Sequence, residues 1–158
     1  IVIFSPHWEK HEIIYDLYCG IGAMSLYVAS HAKKVIGVEI VEDAIKDARE
    51  NAELNKINNT DFFQGDINNF FTDNSKLIKK ENPDIIILDP PRVGLHKDAI
   101  NTIIKYTSCK IIYVSCNPST QARDLTILNE AGYNITNIQP IDMFPHTPHI
   151  ENIVTLVK

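Results

Sequence analysis

The sequence predicts an α/β architecture: a mostly parallel sheet of seven strands, covered by helices on both faces, with an antiparallel hairpin at its C-terminal end. Three observations carry that prediction. Short runs rich in Ile and Val alternate with stretches of helical spacing along the chain. Most of these runs are continuously apolar rather than alternating, as strands buried on both faces require. The last two runs have no helical stretch between them, so they are expected to pair directly.

Taken in order, IIYDLYC (13–19) is the first strand and ends in a glycine-bearing turn. Helical spacing over 22–32 leads to the second strand, KVIGVEI (34–40), and a helix over 43–56 leads to the third, TDFFQGDI (60–67). A helix over 68–80 precedes the fourth strand, DIIILDPP (84–91), which its two prolines bring to a stop. A helix over 96–107 precedes the fifth strand, KIIYVSCN (110–117). Asn117 and Pro118 then start a helix over 118–131, as a cap followed by proline at the first helical position. YNITNIQPIDMF (133–144) and IENIVTLVK (150–158) form the closing hairpin. Sheets of this kind bind ligands at the carboxyl ends of their strands, and the motifs described below all fall there.

Length and composition narrow the function classes. A chain of 158 residues suits one domain, 1–158, and its 44% hydrophobic and 22% charged residues are an ordinary globular balance. No apolar run approaches the ~18–20 residues that span a bilayer, and the first residues lack a basic n-region and a cleavage site, so a cytoplasmic protein without a membrane partner is expected. The three cysteines, Cys19, Cys109 and Cys116, form no CxxC pair, which argues against a disulfide framework and a zinc or iron–sulfur site. His146 and His149 flank Pro148 without a third ligand at metal spacing, so no metal is expected. Net charge is −5, from 15 basic and 20 acidic residues, whereas a domain holding nucleic acid by itself is usually basic. An RNA substrate would therefore need help from elsewhere, and the chain opens without Met, as a segment of a longer protein would.

Two groups of residues carry chemistry. The first lies in the N-terminal half. Gly20 and Gly22, in DLYCGIG, let the backbone turn tightly beside a ligand, but the third glycine of a dinucleotide fingerprint is absent. Glu39 ends the second strand, where a carboxylate can accept from both hydroxyls of a ribose, and Asp66 ends the third, where it could accept from an adenine amino group. Each acid alone could equally be a helix cap or loop residue. Together they fit a nucleoside cofactor without a diphosphate, and the pattern resembles Rossmann-like S-adenosylmethionine (AdoMet) methyltransferases. The second group lies in the C-terminal half. The fourth strand ends in Asp89-Pro90-Pro91-Arg92, a rigid way to present Asp89; Cys116 ends the fifth strand; and the last hairpin carries His149 and Glu151. A thiol and a carboxylate beside a methyl donor suit a pyrimidine C5, a poor nucleophile until a thiolate adds to C6.

DLYCGIG, GVEI, DPPR, YVSCNP with ARDL, and DMFPHTPHIE, in this order over roughly residues 13–158, resemble the catalytic domain of the RNA 5-methyluridine methyltransferase family. The resemblance implies a class I AdoMet-dependent methyltransferase fold and methylation of C5 of a uridine in ribosomal or transfer RNA; it does not settle which, and 23S ribosomal RNA is expected slightly ahead of transfer RNA. It matches Cys116 to the nucleophile and Glu151 to the base that removes the C5 proton. Tyr18, Gly20, Gly22, Glu39, Asp66 and Asp89 match cofactor-binding positions, with Asp89 also a candidate contact to the base. Ala23 departs from the family's usual Asn after the glycine turn. The family's N-terminal RNA-binding β-barrel and its upstream cofactor-binding Gln are not visible, so RNA recruitment is expected mainly from a missing N-terminal part, and the sequence leaves the oligomeric state open.

Three alternatives stand beside this reading. An RNA cytosine-C5 methyltransferase would use the same addition, but such enzymes typically carry a second cysteine where this chain has Arg92. An amino-group methyltransferase could use the DPP turn yet needs neither thiol nor closing Glu. A non-catalytic AdoMet-binding fragment would have no use for Cys116 and Glu151. Arg123 and Asp124 are read as a structural salt bridge near the SCNP turn rather than as a phosphate contact.

Overall fold

The structure is a computed structural model and describes residues 10–143, 146–147 and 150–158. Its strands form a seven-stranded mixed sheet in the order β3-β2-β1-β4-β5-β7-β6. The chain divides into two compact units, one ending at Ile86 and one running Ile87–Lys158, with the boundary inside β4 (Ile85–Leu88).

The first unit contains β1 (Ile13–Leu17), α1 (Ala23–Ala29), β2 (Lys34–Glu39), α2 (Glu42–Leu54), β3 (Thr60–Gln64), α3 (Ile67–Asp73) and α4 (Ser75–Lys80). β1 and β2 pair in parallel from Ile13↔Lys34 to Leu17↔Val38, and β2 and β3 from Val35↔Thr60 to Glu39↔Gln64. α2 buries Ile45, Ala48 and Ala52, a stripe at helical spacing, and these pack with Cys19, Phe62 and Leu26. Gly37 makes room for that cluster: a Cβ there would lie 2.5 Å from the Phe62 ring and 2.9 Å from the Cys19 sulfur. Tyr15 meets Phe70 edge-on at 5.8 Å between ring centroids, and its hydroxyl donates to the Glu81 carbonyl at 2.8 Å.

The helix expected over 68–80 is two short helices. Asn74 breaks it: its backbone leaves helical geometry (φ −104°, ψ 28°), and both its backbone N–H and its side-chain amide donate to the Phe70 carbonyl at 3.0 Å. An Asn that offers its own side chain to the backbone competes with helix continuation. The fourth strand, expected over 84–91, is confined to Ile85–Leu88 because Pro90 and Pro91 have no N–H to extend a ladder.

The second unit contains α5 (Lys97–Tyr106), β5 (Lys110–Ser115), α6 (Pro118–Glu130), β6 (Asn134–Ile141) and β7 (Glu151–Val157). Asn117 caps α6 as the sequence predicts, its Oδ1 accepting from the Ser119 N–H at 3.1 Å with Pro118 following. β6 and β7 form the expected antiparallel hairpin, from Asn134↔Val157 to Ile141↔Glu151, with an irregularity between Ile135 and Asn137. β7 lies antiparallel to β5 in continuous register, from Ile111↔Leu156 to Ser115↔Asn152. β6 is left as a largely exposed edge, which tolerates Pro140. Among the described residues no helix is long and apolar enough to cross a membrane.

Candidate functional site

In the first unit, the turn after β1 is shaped by three residues in the left-handed region: Tyr18 (φ 90°), Gly20 (φ 53°) and Gly22 (φ 84°). A tyrosine in this region costs on the order of 1–3 kcal/mol, which the surrounding structure must over-determine. It does so with bonds from the Tyr18 and Cys19 N–H groups to the Val38 carbonyl, at 2.9 and 3.0 Å. A Cβ at Gly20 would meet nothing within 4 Å, so the turn has an open side, whereas one at Gly22 would crowd Ala48 and Phe62 at 3.1 Å. Two further bonds hold the turn. Asn51 of α2 donates to the Ile21 carbonyl at 3.1 Å, and the Ser25 hydroxyl of α1 donates to buried Asp16 at 2.6 Å.

Glu39 ties the turn to the end of β2: one carboxylate oxygen accepts from the Gly20 N–H at 3.2 Å and the other from the Val41 N–H at 3.0 Å. Each carboxylate oxygen has two lone pairs, so acceptors remain for a diol. Asp66 caps α3, accepting from the Asn69 N–H at 3.0 Å and from the Asn69 amide at 2.6 Å. The bland cap reading is therefore realised, with lone pairs to spare for an adenine amino group. Ala23, at the position where the family usually has Asn, is exposed at the start of α1. Cys19 is a packing thiol, its pKa pushed far up by burial first and by the charges of Asp16 and Glu39 next.

In the second unit, Asp89 follows β4 directly. It is exposed as a residue, yet the protein around its carboxyl removes enough water, with the Glu151 charge adding to the effect, to push its pKa up to about 6. The loop after Asp89 is strapped to the start of α6. Asn117 and Thr120 donate to the Arg92 carbonyl at 3.0 and 3.1 Å, and Arg123 donates to the Val93 and Leu95 carbonyls at 3.0 and 3.2 Å. Fully buried Asp124 accepts from the Leu95 N–H, the Tyr113 hydroxyl and the Arg123 guanidinium, each at 2.7 Å. The Arg123–Asp124 pair is thus structural, as read from the sequence, but it holds the loop that follows DPPR.

Cys116 stands one residue beyond β5 and is half-buried, as is Glu151 at the start of β7. The β5–β7 ladder ends at Ser115↔Asn152. Cys116 and Glu151 are the next residues beyond that last rung, one on each strand, so both lie at the same end of the β5–β7 pair. Asp89, Cys116 and Glu151 therefore belong to one unit, and Tyr18, Gly20, Gly22, Glu39 and Asp66 to the other. His149 lies outside the described residues, and among those described no group of three or more His, Cys, Asp or Glu residues could hold a metal ion. A groove of about 530 Å³ beside α2 and β3, lined by Arg49, Glu53, Thr60, Asp61 and Phe63 among others, shares none of the candidate residues. Sequence reading missed the Asp16–Ser25 bond and the Asp124 hub; the only signal for either was a polar residue at a position otherwise read as apolar.

The chain is similar to several known proteins. An uncharacterized RNA methyltransferase of Clostridium tetani is 50% identical over 150 residues, covering 94% of this chain and 31% of that protein. One from Chlorobaculum tepidum is 49% identical over 142 residues, covering 90% and 29%. The chain thus spans about a third of the length of the curated relatives it matches. Among solved structures, the Pyrococcus abyssi tRNA (uracil-54, C5)-methyltransferase in complex with S-adenosyl-L-homocysteine matches with a TM-score of 0.78 and 36% identity, over 95% of this chain and 35% of that one. An rRNA methylase from Streptococcus thermophilus shares the fold at a TM-score of 0.68 and 16% identity, over 96% and 89%. The family model described as tRNA (Uracil-5-)-methyltransferase matches residues 7–158, and the chain belongs to that family.

Proposed function

We propose that this chain is the catalytic part of an AdoMet-dependent enzyme that methylates C5 of a uridine in ribosomal or transfer RNA. The observation that supports the reading is the last rung of the β5–β7 ladder, Ser115↔Asn152, just beyond which Cys116 and Glu151 follow on their two strands. The donor set of the first unit fits the cofactor: an open glycine turn at Gly20, a Glu39 carboxylate with acceptors to spare for a ribose, and Asp66 for the adenine amino group. AdoMet, when bound, supplies an electrophilic methyl group.

The chain's own residues do the rest. The Cys116 thiolate adds to C6 of the uracil; the new S–C6 bond displaces the C5=C6 π pair toward C5, which becomes able to accept a methyl. After methylation, Glu151 takes the C5 proton. The C5–H electron pair re-forms the C5=C6 bond and expels the thiolate from C6, so the enzyme returns to its starting state with one proton on Glu151, later lost to solvent. Asp89, whose pKa is raised to about 6 by burial and by the Glu151 charge, is a second carboxyl near the proposed base.

The net charge of −5 and the third of the relatives' length that this chain spans support the further reading that RNA is gripped mainly by other parts of the full-length protein, in the cytoplasm. The test is intact-protein mass after incubation of the full-length protein with AdoMet and an RNA carrying 5-fluorouridine, beside Cys116→Ala. Fluorine at C5 blocks the final proton removal, so the expected result is a stable adduct of protein, RNA and one methyl that is lost in Cys116→Ala. An adduct that persists without Cys116, or a methylated product with no adduct, would overturn the reading.

A further inference from the structure

Gln121, in the first turns of α6, is 1% exposed, and burying an amide is costly unless its hydrogen bonds are made. Here they are made to the two strands that carry the proposed catalytic pair. The Gln121 amide nitrogen donates to the Tyr113 carbonyl of β5 at 2.9 Å and to the Asn152 carbonyl of β7 at 3.2 Å. Its amide oxygen accepts from the Asn152 side chain at 2.7 Å. Two carbonyls face one end of the amide and an N–H faces the other, so only one orientation of Gln121 satisfies all three bonds.

The position of this clamp is what gives it a function. Asn152 pairs with Ser115 on the last rung of the β5–β7 ladder, and Cys116 and Glu151 are the residues just outside that rung. Ends of ladders fray, and a slip of one residue would turn Glu151 to the opposite face. The β6 side of β7 offers weaker insurance against such a slip, because that ladder already contains an irregularity between Ile135 and Asn137. An aliphatic side chain at 121 would fill the same space without specifying any register. α6 itself begins two residues after Cys116, so Gln121 ties the base's strand to the helix that the nucleophile leads into.

We propose that the Gln121–Asn152 amide pair is a positioning device for the second half of the catalytic cycle, holding Glu151 opposite Cys116 so that the C5 proton can be removed and the thiolate released. The inference rests on the proposed C5-uridine reaction and adds to it two residues that touch neither cofactor nor base. Losing the clamp should leave thiolate addition and methylation nearly intact, while proton removal slows. The enzyme should then accumulate as a methylated covalent adduct on ordinary uridine RNA.

The experiment is single-turnover kinetics of the full-length protein with AdoMet and uridine RNA, comparing wild type, Gln121→Leu and Asn152→Ser. Covalent adduct is read on a denaturing gel and product by nucleoside analysis, with [5-²H]uridine RNA as a second substrate. The expected result is adduct formation within about twofold of wild type and adduct decay slowed about tenfold, with a larger deuterium isotope effect on product formation. Parallel loss of adduct formation and decay, or no change in either, would overturn the proposal. Asn152 is half-buried, so Asn152→Ser decides the matter if Gln121→Leu does not fold. Wild type that fails to trap on 5-fluorouridine RNA would instead bring down the underlying reading. Wild type that traps while both variants decay normally would bring down the clamp alone.

Discussion

The candidate-site carboxylates of the two units are treated in opposite ways. In the first unit Glu39 accepts from two backbone N–H groups, Asp66 from a backbone N–H and an amide, and Asp16 from a hydroxyl. Each is fixed as an acceptor by named donors. In the second unit burial, with the Glu151 charge adding to it, raises the Asp89 pKa to about 6. A group that binds a cofactor gains from being permanently ionised and oriented, whereas groups that exchange protons gain from lying near their titration point. Under the proposed function, the difference separates a holding surface from a reacting one.

The sharpest way to break that division is Cys116→Ala, which should lower methyl transfer by at least about 10³-fold in the full-length protein. The rise in melting temperature on adding AdoMet should be unchanged, because five of the six candidate cofactor residues lie in the other unit and the sixth, Asp89, is left intact. Loss of the AdoMet response in this variant would mean that the two functions are not divided as argued.

Next in size is Asp124→Ala. It strips a fully buried acceptor from the Leu95 N–H and the Tyr113 hydroxyl, and leaving a buried donor without its acceptor costs about 1–3 kcal/mol, while the half-exposed Arg123 guanidinium is left to water. Denaturant unfolding should show that loss. The damage should fall on the loop after Asp89, seen as faster amide exchange over 92–95, with the Gly20 turn spared.

Glu39→Ala acts in the opposite unit and should do the reverse. Losing a charged acceptor from the cofactor and from two backbone N–H groups should weaken AdoMet binding by about 10–100-fold, measured by calorimetry. The extent of 5-fluorouridine trapping at saturating AdoMet should stay near that of wild type.

The smallest effect is expected from Asp89→Asn, and its sign follows from the raised pKa. The folded protein binds a proton at Asp89 more readily than the unfolded chain does. This group's contribution to stability is therefore fully present below the ordinary value of 3.8 and is lost as pH rises through about 6. Asp89→Asn should melt slightly higher than wild type at pH 7.5, and the advantage should vanish by pH 4. An equal shift at both values would mean that Asp89 carries no strain of this kind.

The sheet was readable from sequence because its strands are continuous apolar runs, and the hairpin because no helical spacing lies between Tyr133 and Lys158. The cap at Asn117 was readable because Asn followed by Pro has one strong local meaning. Asn74 was harder: the apolar spacing of Ile67, Phe70 and Phe71 continues to Ile78, and only the geometry reveals that Asn74 turns its side chain onto Phe70 and splits the helix. The left-handed Tyr18 was not readable at all, since nothing local in a tyrosine announces it. The candidate residues themselves were found through short motifs. What supports them was hidden, because Gln121 with Asn152, and Asp124 with Leu95, are long-range polar pairs whose partners lie on different elements.

The placement of β7 between β5 and β6 has a consequence for how the protein comes into being. β6 precedes β7 in the chain, yet its ladder is made with β7. On the ribosome, β6 must wait as an unpaired edge until the residues from Glu151 onward have emerged. Glu151, the proposed partner of Cys116, arrives only then. A nascent chain stalled before that point would carry its thiol without that carboxylate, so the proposed pair is assembled in one of the last events of this segment's synthesis.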